Sequence, residues 1–496
     1  MKTKYLLSII SGSLFSLSFA PFNVWPLLIF SLVLYIYLLN GLTYKQSFRV
    51  GYLYGLGIWS VGISWVYVSI HYHGNINIYY SIIITLLFIV LLSFYSALQA
   101  IIYKYFNFNR LSGPLLSFSL SWVLLELIRE SLFTGFPWLI AGTSIAGSLI
   151  DGWIPIIGAI GMSILISVLS GSIYILITQL NNRKLVTFAV ITILVIVTPG
   201  YLLKDINWTQ KKDQITISVI QPNLTLKEKW SLSGIQKTRR IFEKAIKQAD
   251  NKELIIFPET ALILNESKQI NWLNSMDKSA RLKEVGIITG IIERKETDLN
   301  SEDSLIYNRI KGFGDAQGSY NKIKLVPFGE FIPFNRFSGN LLDLIGLKLT
   351  NTIPGQDYSS IIFKDNNISP SICYEIAFSN LIRKSSLNSN LLVTISNDTW
   401  FGGSIGPDQH LEIAQNRAIE HQKPLIRSTN SGISSIIDKN GNFLLKQGNF
   451  EDKSMKATIS SYQGLTPFVK YGYLFTYIYL ILGYLWLFFK KVTKVS

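Results

Sequence analysis

Hydrophobic positions along this chain follow two regimes. Long apolar stretches fill positions near 5–20, 24–39, 50–70, 79–103, 114–133, 152–178, 185–203 and 471–489. Apolar windows of about 19 residues predict membrane-spanning helices. The first two stretches are short and abut at Ala20-Pro21-Phe22, which predicts tilted helices or a tight helical hairpin. The first also resembles a secretory leader, with Lys2 and Lys4 ahead of an apolar core ending Ser18-Phe19-Ala20. Pro21 right after that point is poor for cleavage and a second span follows at once, so a retained helix is expected.

From position 215 the period changes. Apolar or alternating runs at Ile215–Ile220, Leu254–Phe257, Val285–Ile292, Ser304–Ile310, Ser369–Cys373, Leu391–Ile395, Leu425–Ser428 and Gly432–Ile437 predict strands. Gly234–Ala249 is amphipathic and basic, and Asp408–Gln422 carries Leu411, Ala414 and Ala418 at helical spacing. Strands alternating with helices predict a layered α/β domain. The expected organisation is seven membrane helices in 1–204, a polar domain in 205–470, and a last membrane helix with a basic tail in 471–496.

Composition agrees with that division. The 496 residues are 49% hydrophobic and 16% charged, with mean hydropathy +0.31; soluble proteins average about 25% charged. Lys2 and Lys4, Lys45 and Arg49, Lys104 and Arg110, Arg183 and Lys184, and Lys490, Lys491 and Lys494 fall on one face of the expected spans. That face is cytoplasmic by the positive-inside rule, and an odd number of crossings puts the polar domain outside the cytoplasm. The net charge of +15 is therefore partly topological and calls for no nucleic-acid partner.

Some positions inside the apolar regime stand out. Gly51, Gly55, Gly57 and Gly62 predict close helix packing rather than a nucleotide fingerprint. Glu126 and Arg129 lie three apart on one helix face, where a charge is expensive, and read equally as a functional pair or a structural one. Phe133-Thr134-Gly135-Phe136-Pro137-Trp138 predicts an aromatic turn at the membrane interface. His71 and His73 sit in a short loop without nearby acidic ligands, and no metal site is expected.

Cys373 is the only cysteine, so it cannot form an internal disulfide. It ends a predicted strand, with Tyr374 and Glu375 behind it and a helical run following. A cysteine at such an elbow is stabilised as a thiolate by the helix start and a nearby lysine. Other strand ends carry polar clusters: Glu259 in Phe257-Pro258-Glu259-Thr260-Ala261, and Lys322, Lys324 and Glu330 around a rigid Pro327-Phe328-Gly329 turn. A carboxylate near the thiol supplies a base, and an ammonium with backbone N–H groups supplies an oxyanion hole.

Glu259, Lys322 and Cys373 in that order, with Cys373-Tyr374-Glu375, resemble the nitrilase superfamily. Seven spans ahead of such a domain and one after it are similar to the apolipoprotein N-acyltransferase family. Further marks are Trp25-Pro26, Ser64 to Ser69, Thr134 to Trp138, Leu325 to Glu330 and Asn397 to Phe401. The resemblance covers the whole chain. It implies an αββα sandwich on the periplasmic side of the inner membrane and no cofactor. It also implies a phospholipid acyl donor, a diacylglyceryl apolipoprotein acceptor, and a thioester on Cys373. Glu259 would be the general base, Lys322 the oxyanion stabiliser, and Glu330, Tyr374 and Glu375 supports. Trp230 and Trp400 would sit on loops over the site, while Lys324 reads as a loop charge. Asp408 and Ile263 depart from the pattern expected at their positions, which touches loop detail only.

Two rival readings remain at this stage. A membrane-tethered amidase would use the same three residues but give the spans no role. A transporter would need several polar residues along a path, and Glu126 and Arg129 are the main ones.

Overall fold

Every apolar stretch folds as a helix in the computed structural model, which describes residues 1–74, 76–107, 109–295, 305–331 and 352–495. Among the described residues, Ile78–Phe106, Asp151–Thr178, Arg183–Asp205 and Leu474–Thr493 are each long and apolar enough to cross a membrane; Tyr44–Gly62 and Trp65–His73, bent by 51° at their break, pass the same test only when taken together as one span. Lys2–Ser16 and Pro26–Leu39 run 15 and 14 residues. At 1.5 Å per residue they fall short of a hydrocarbon core of about 30 Å. They do pair as a hairpin: Ser11 Oγ donates to the Ser31 carbonyl at 2.9 Å, and Ser31 Oγ to the Ser11 carbonyl at 2.6 Å.

These helices are Met1–Ile206 and Lys470–Ser496, and together with Ser404–Glu412 they form one compact unit. The glycines pack as expected. A Cβ on Gly51 would lie 2.5 Å from the Ser96 carbonyl oxygen, and one on Gly12 2.0 Å from that of Tyr54. Buried serines return their hydroxyls to their own helix, as Ser93 to Ile89 at 2.7 Å and Ser170 to Ile166 at 2.9 Å. No other partner is then needed in an apolar setting. Ser404–Glu412 joins this unit through hydrogen bonds the sequence did not reveal. Gln409 Oε1 accepts from Trp65 Nε1 at 3.1 Å and Trp138 Nε1 at 2.7 Å, and Glu412 Oε2 accepts from the Ala20 N–H at 3.2 Å.

The expected interface turn is only half right. Phe133 is exposed, but Trp138 is buried, because its indole N–H is held by Gln409. Glu126 and Arg129 serve the segment after it: Glu126 Oε1 accepts from Trp122 Nε1 and the Ala141 N–H, and Arg129 donates to the Trp138 and Leu139 carbonyls.

The second unit, Asn207–Gly403 with Ile413–Val469, is two sheets. In chain order its strands are β1 (Gln210–Gln221), β2 (Leu254–Ile256), β3 (Gly286–Lys295), β4 (Leu305–Gly314), β5 (Ala316–Gln317), β6 (Ser319–Asn321), β7 (Ile361–Phe363), β8 (Asn366–Ile372), β9 (Leu391–Ser396), β10 (Leu425–Thr429), β11 (Ser435–Ile437), β12 (Phe443–Lys446) and β13 (Lys453–Gln463). The orders are β13-β1-β2-β3-β4-β6 and β12-β11-β10-β9-β8-β7-β5. The strand predicted from Ser304 begins at Leu305; Ser304 itself lies outside the described residues.

β1, β2 and β3 run parallel, as do β8, β9 and β10. Parallel neighbours need crossovers, and right-handed crossovers place their helices on one face of each sheet. The crossover helices Leu232–Gln248 and Ile270–Leu282 bury Phe242, Ile246, Leu273 and Met276 against Ile255, Phe257 and Ile287. Ser379–Ser385 and Gly406–His421 cross over in the second sheet. Between the sheets, Ile217, Val219, Ile256 and Ile288 meet Ile368, Ile372, Val393, Ile395 and Ile426. The order is helices, sheet, sheet, helices. Its parallel strands all end at the same edge of their sheet, which is where the polar clusters lie.

Candidate active site

Ile368 and Ile372 of β8 point into the inter-sheet core. The next residue breaks the strand: Cys373 has φ +52°, a left-handed backbone that a non-glycine residue adopts only when its surroundings impose it. A short 3-10 turn, Cys373–Ala377, follows, and the thiol is partly exposed and packs against the core edge. Tyr374 packs its ring edge-on to Phe378 at 5.0 Å.

Glu375 explains the elbow. It is fully buried; Oε1 accepts from Tyr320 Oη at 2.8 Å and from the N–H groups of Ile323 at 2.7 Å and Lys324 at 3.0 Å. Its Oε2 takes the Ile372 N–H at 2.8 Å. One carboxylate thus ties the loop after β6 to the turn after β8. Burial pushes Glu375 up to about 7 against the pull of those donors. Lys324, expected as a loop charge, lies over the Phe378 ring at 4.6 Å.

Glu259 stands three residues beyond β2, before Thr260 at φ +46°. Gly290 of β3 makes room for it, since a Cβ there would lie 2.3 Å from the Thr260 nitrogen. Glu259 Oε1 accepts from Asn308 Nδ2 at 2.7 Å and faces Lys322 Nζ at 3.5 Å; Oε2 accepts from the Asn397 N–H at 2.8 Å. Lys322 follows β6 and is 1% exposed; its ammonium donates to Glu330 Oε1 at 2.9 Å. Asn308 also donates to Glu330 Oε1 at 3.2 Å, and Glu330 Oε2 accepts from the Val326 N–H at 2.8 Å.

Burial works against the Lys322 ammonium, but Glu330, Glu259 and Cys373 outweigh it and hold its pKa above the ordinary lysine value. Burial first, then the Glu259 charge, push the Cys373 thiol up to about 12, against Lys322 and a hydrogen bond with Ser396. Around the Cys373 thiol the structure thus gathers one carboxylate, Glu259, and one ammonium, Lys322, whose charges act on it in opposite directions.

Sequence reasoning missed three contributors. Asn308 lies mid-strand in β4 and carries no motif. Asn397 acts through its backbone, which no side-chain pattern reports. Lys229 is 3% exposed and donates to the Glu259 carbonyl at 3.1 Å and Thr260 Oγ1 at 2.8 Å; burial lowers it to about 8. It was overshadowed by Trp230, which is 60% exposed; Trp400 is 43% exposed.

Glu259, Lys322 and Cys373 thus stand at strand ends of two packed sheets, and residues 216–466 match the carbon-nitrogen hydrolase family. Residues 11–172 match the apolipoprotein N-acyltransferase N-terminal domain. The chain is 33% identical to the apolipoprotein N-acyltransferase of Photobacterium profundum, over 95% of this chain and 91% of that one. Its identity to that of Wigglesworthia glossinidia brevipalpis is 34% over 99% of both, and to that of Coxiella burnetii 30% over 94% and 96%. The chain belongs to the apolipoprotein N-acyltransferase family.

Proposed function

We propose that this protein carries a fatty acyl group from a phospholipid, through a thioester on Cys373, to the α-amine of a diacylglyceryl-cysteine at a lipoprotein N-terminus. The observation that carries the reading is the lone thiol at a strained elbow beside Glu259 and Lys322.

In the first half-reaction Glu259 takes the Cys373 proton while Sγ attacks the ester carbonyl carbon. The oxyanion is met by the Lys322 ammonium and a backbone N–H near Tyr374. The C–O bond then breaks, Glu259 gives its proton to the departing oxygen, and a lysophospholipid leaves. In the second, the amine attacks the thioester and gives its proton to Glu259. The C–S bond breaks and the proton returns to sulfur. A thioester suits the intermediate because it acylates an amine readily yet is shared between two separate substrates. Glu330 and Glu375 act by holding Lys322 and the elbow, and Trp230 and Trp400 cover the acyl group. The positive-inside charge pattern supports an inner-membrane protein whose polar domain faces the periplasm.

Labelled phospholipid incubated with the protein should leave a hydroxylamine-sensitive fatty acyl label on Cys373, and adding a diacylated lipopeptide should chase it to the peptide's amine. A small acyl adduct in place of the fatty one would support the amidase alternative. Label that never reaches the amine would refute the transfer.

A further inference from the structure

A second polar chain reaches Cys373 from β9 and β10. Ser396 ends β9, and the pairing of Ile372 with Ile395 sets it abreast of Cys373. Its hydroxyl hydrogen-bonds the thiol and also donates to Asp398 Oδ1 at 2.5 Å. Asp398 Oδ2 accepts from Arg427 Nη2 of β10, whose Nε donates to the Ile433 carbonyl at 3.1 Å. Both charged side chains are 0% exposed. The backbone leaves space for the carboxylate, since a Cβ on Gly432 would lie 2.6 Å from Asp398 Oδ2.

A buried ion pair adds little stability over an apolar pair of equal volume, so its position against the nucleophile asks for another reason. A serine hydroxyl has one proton and two acceptor sites. Turned toward Asp398, it accepts from the thiol; turned the other way, it donates to a thiolate. Asp398 keeps Arg427 in both states, so the turn strands no buried charge. We propose that Ser396 is a positioning residue, a hydroxyl rotor held by the Arg427–Asp398 pair that keeps its proton and turns its O–H to donate a hydrogen bond to Sγ once Glu259 has taken the thiol proton. The same swing supports sulfur as the leaving group when the amine attacks. This inference rests on Cys373 being the acyl carrier.

The test uses the lone cysteine, because iodoacetamide alkylation of the full-length protein in detergent then reports Cys373 alone. The charged groups facing the thiol are Glu259, Lys322 and Asp398, with Glu330 behind Lys322 and Arg427 behind Asp398. All stay in place in Ser396→Ala, so a shift there belongs to the hydroxyl. Between about pH 7 and 10, Ser396→Ala should be alkylated roughly tenfold more slowly than wild type, one unit of upward displacement. Ser396→Thr should return to within about threefold, and Asp398→Asn, which removes a negative charge from the thiol's surroundings, should react faster than wild type. Wild-type rates in Ser396→Ala, or alanine and asparagine variants moving the same way, would overturn the proposal. If the alanine variant does not fold, Ser396→Val set against Ser396→Thr decides, because the two side chains share a shape and differ by the hydroxyl, and equal rates in the two would overturn the proposal. Alkylation needs no lipid, so acyl transfer surviving in Cys373→Ser would sink the acyl-carrier reading on separate grounds.

Discussion

Glu259 after β2 and Glu375 after β8 are both buried carboxylates at strand ends, 6% and 0% exposed. Glu375 is saturated by three backbone N–H groups and a tyrosine hydroxyl. Backbone donors cannot leave when the charge changes, so such a group holds loops together. Glu259 has one backbone donor, and it shares Asn308 and Lys322 with Glu330. Its contact to Lys322, at 3.5 Å, is longer than a good hydrogen bond. Donors that have a second carboxylate to serve let Glu259 gain a proton without leaving them unpaired. Burial alone does not separate the acid proposed to react from one that holds loops together; the kind of donor does.

Substitutions can break that comparison. The largest effect is expected from Cys373→Ala, which should leave no acyl-enzyme in the labelled-phospholipid assay. Glu259→Gln should slow acyl-enzyme formation by about 10²–10⁴, the usual contribution of a general base, with little change in thermal unfolding. Glu375→Gln should do the reverse and lower unfolding stability by about 2–4 kcal/mol, since it unbalances a buried hydrogen-bonded charge. Equal losses of rate in two equally stable variants would erase the distinction between the two glutamates.

Smaller effects follow from protonation. With the thiol at about 12, wild-type alkylation should rise about tenfold per pH unit from pH 7 to 10 without levelling, and Lys322→Met should lower every rate further. A plateau below pH 10 would show a thiol that burial and the Glu259 charge do not hold up. A protonation effect on stability concerns Glu412, which burial raises to about 8 from an ordinary 4.5. The folded form keeps that proton where the unfolded chain has lost it, so stability should fall as pH rises from 4.5 to about 8. Glu412→Gln should flatten this slope in a melting series.

Long-period features were legible from residues alone. The eight apolar stretches are all helical, and the strands whose positions alternate or run apolar, such as β1, β3 and β9, appear where expected. β13 was missed because Lys453–Gln463 carries few apolar residues and lies at the sheet edge, where one partner, β1, defines it. β5 and β6 are two and three residues long, too short for any period to register. Of the residues proposed for the site, Glu259, Lys322, Glu330 and Cys373 were legible because each stands in a turn after a strand. Asn308, Lys229 and the backbone of Asn397 were not, since nothing local distinguishes them from an ordinary strand, helix and loop residue.

Hydrophobic periodicity is a local property, and a lone thiol is a matter of counting. The sequence by itself therefore determined that the chain is part long apolar helix and part α/β domain, and that Cys373 is the single cysteine of the 496 residues. Which donors surround a carboxylate depends mostly on segments 49 to 138 residues apart that meet only once the chain has folded. Only the tertiary structure decided that Glu259 shares its donors while Glu375 keeps its own. It also decided that Ser404–Glu412 packs with the helices, because a hydrogen bond from Trp138 to Gln409 leaves no trace in the local pattern of either segment.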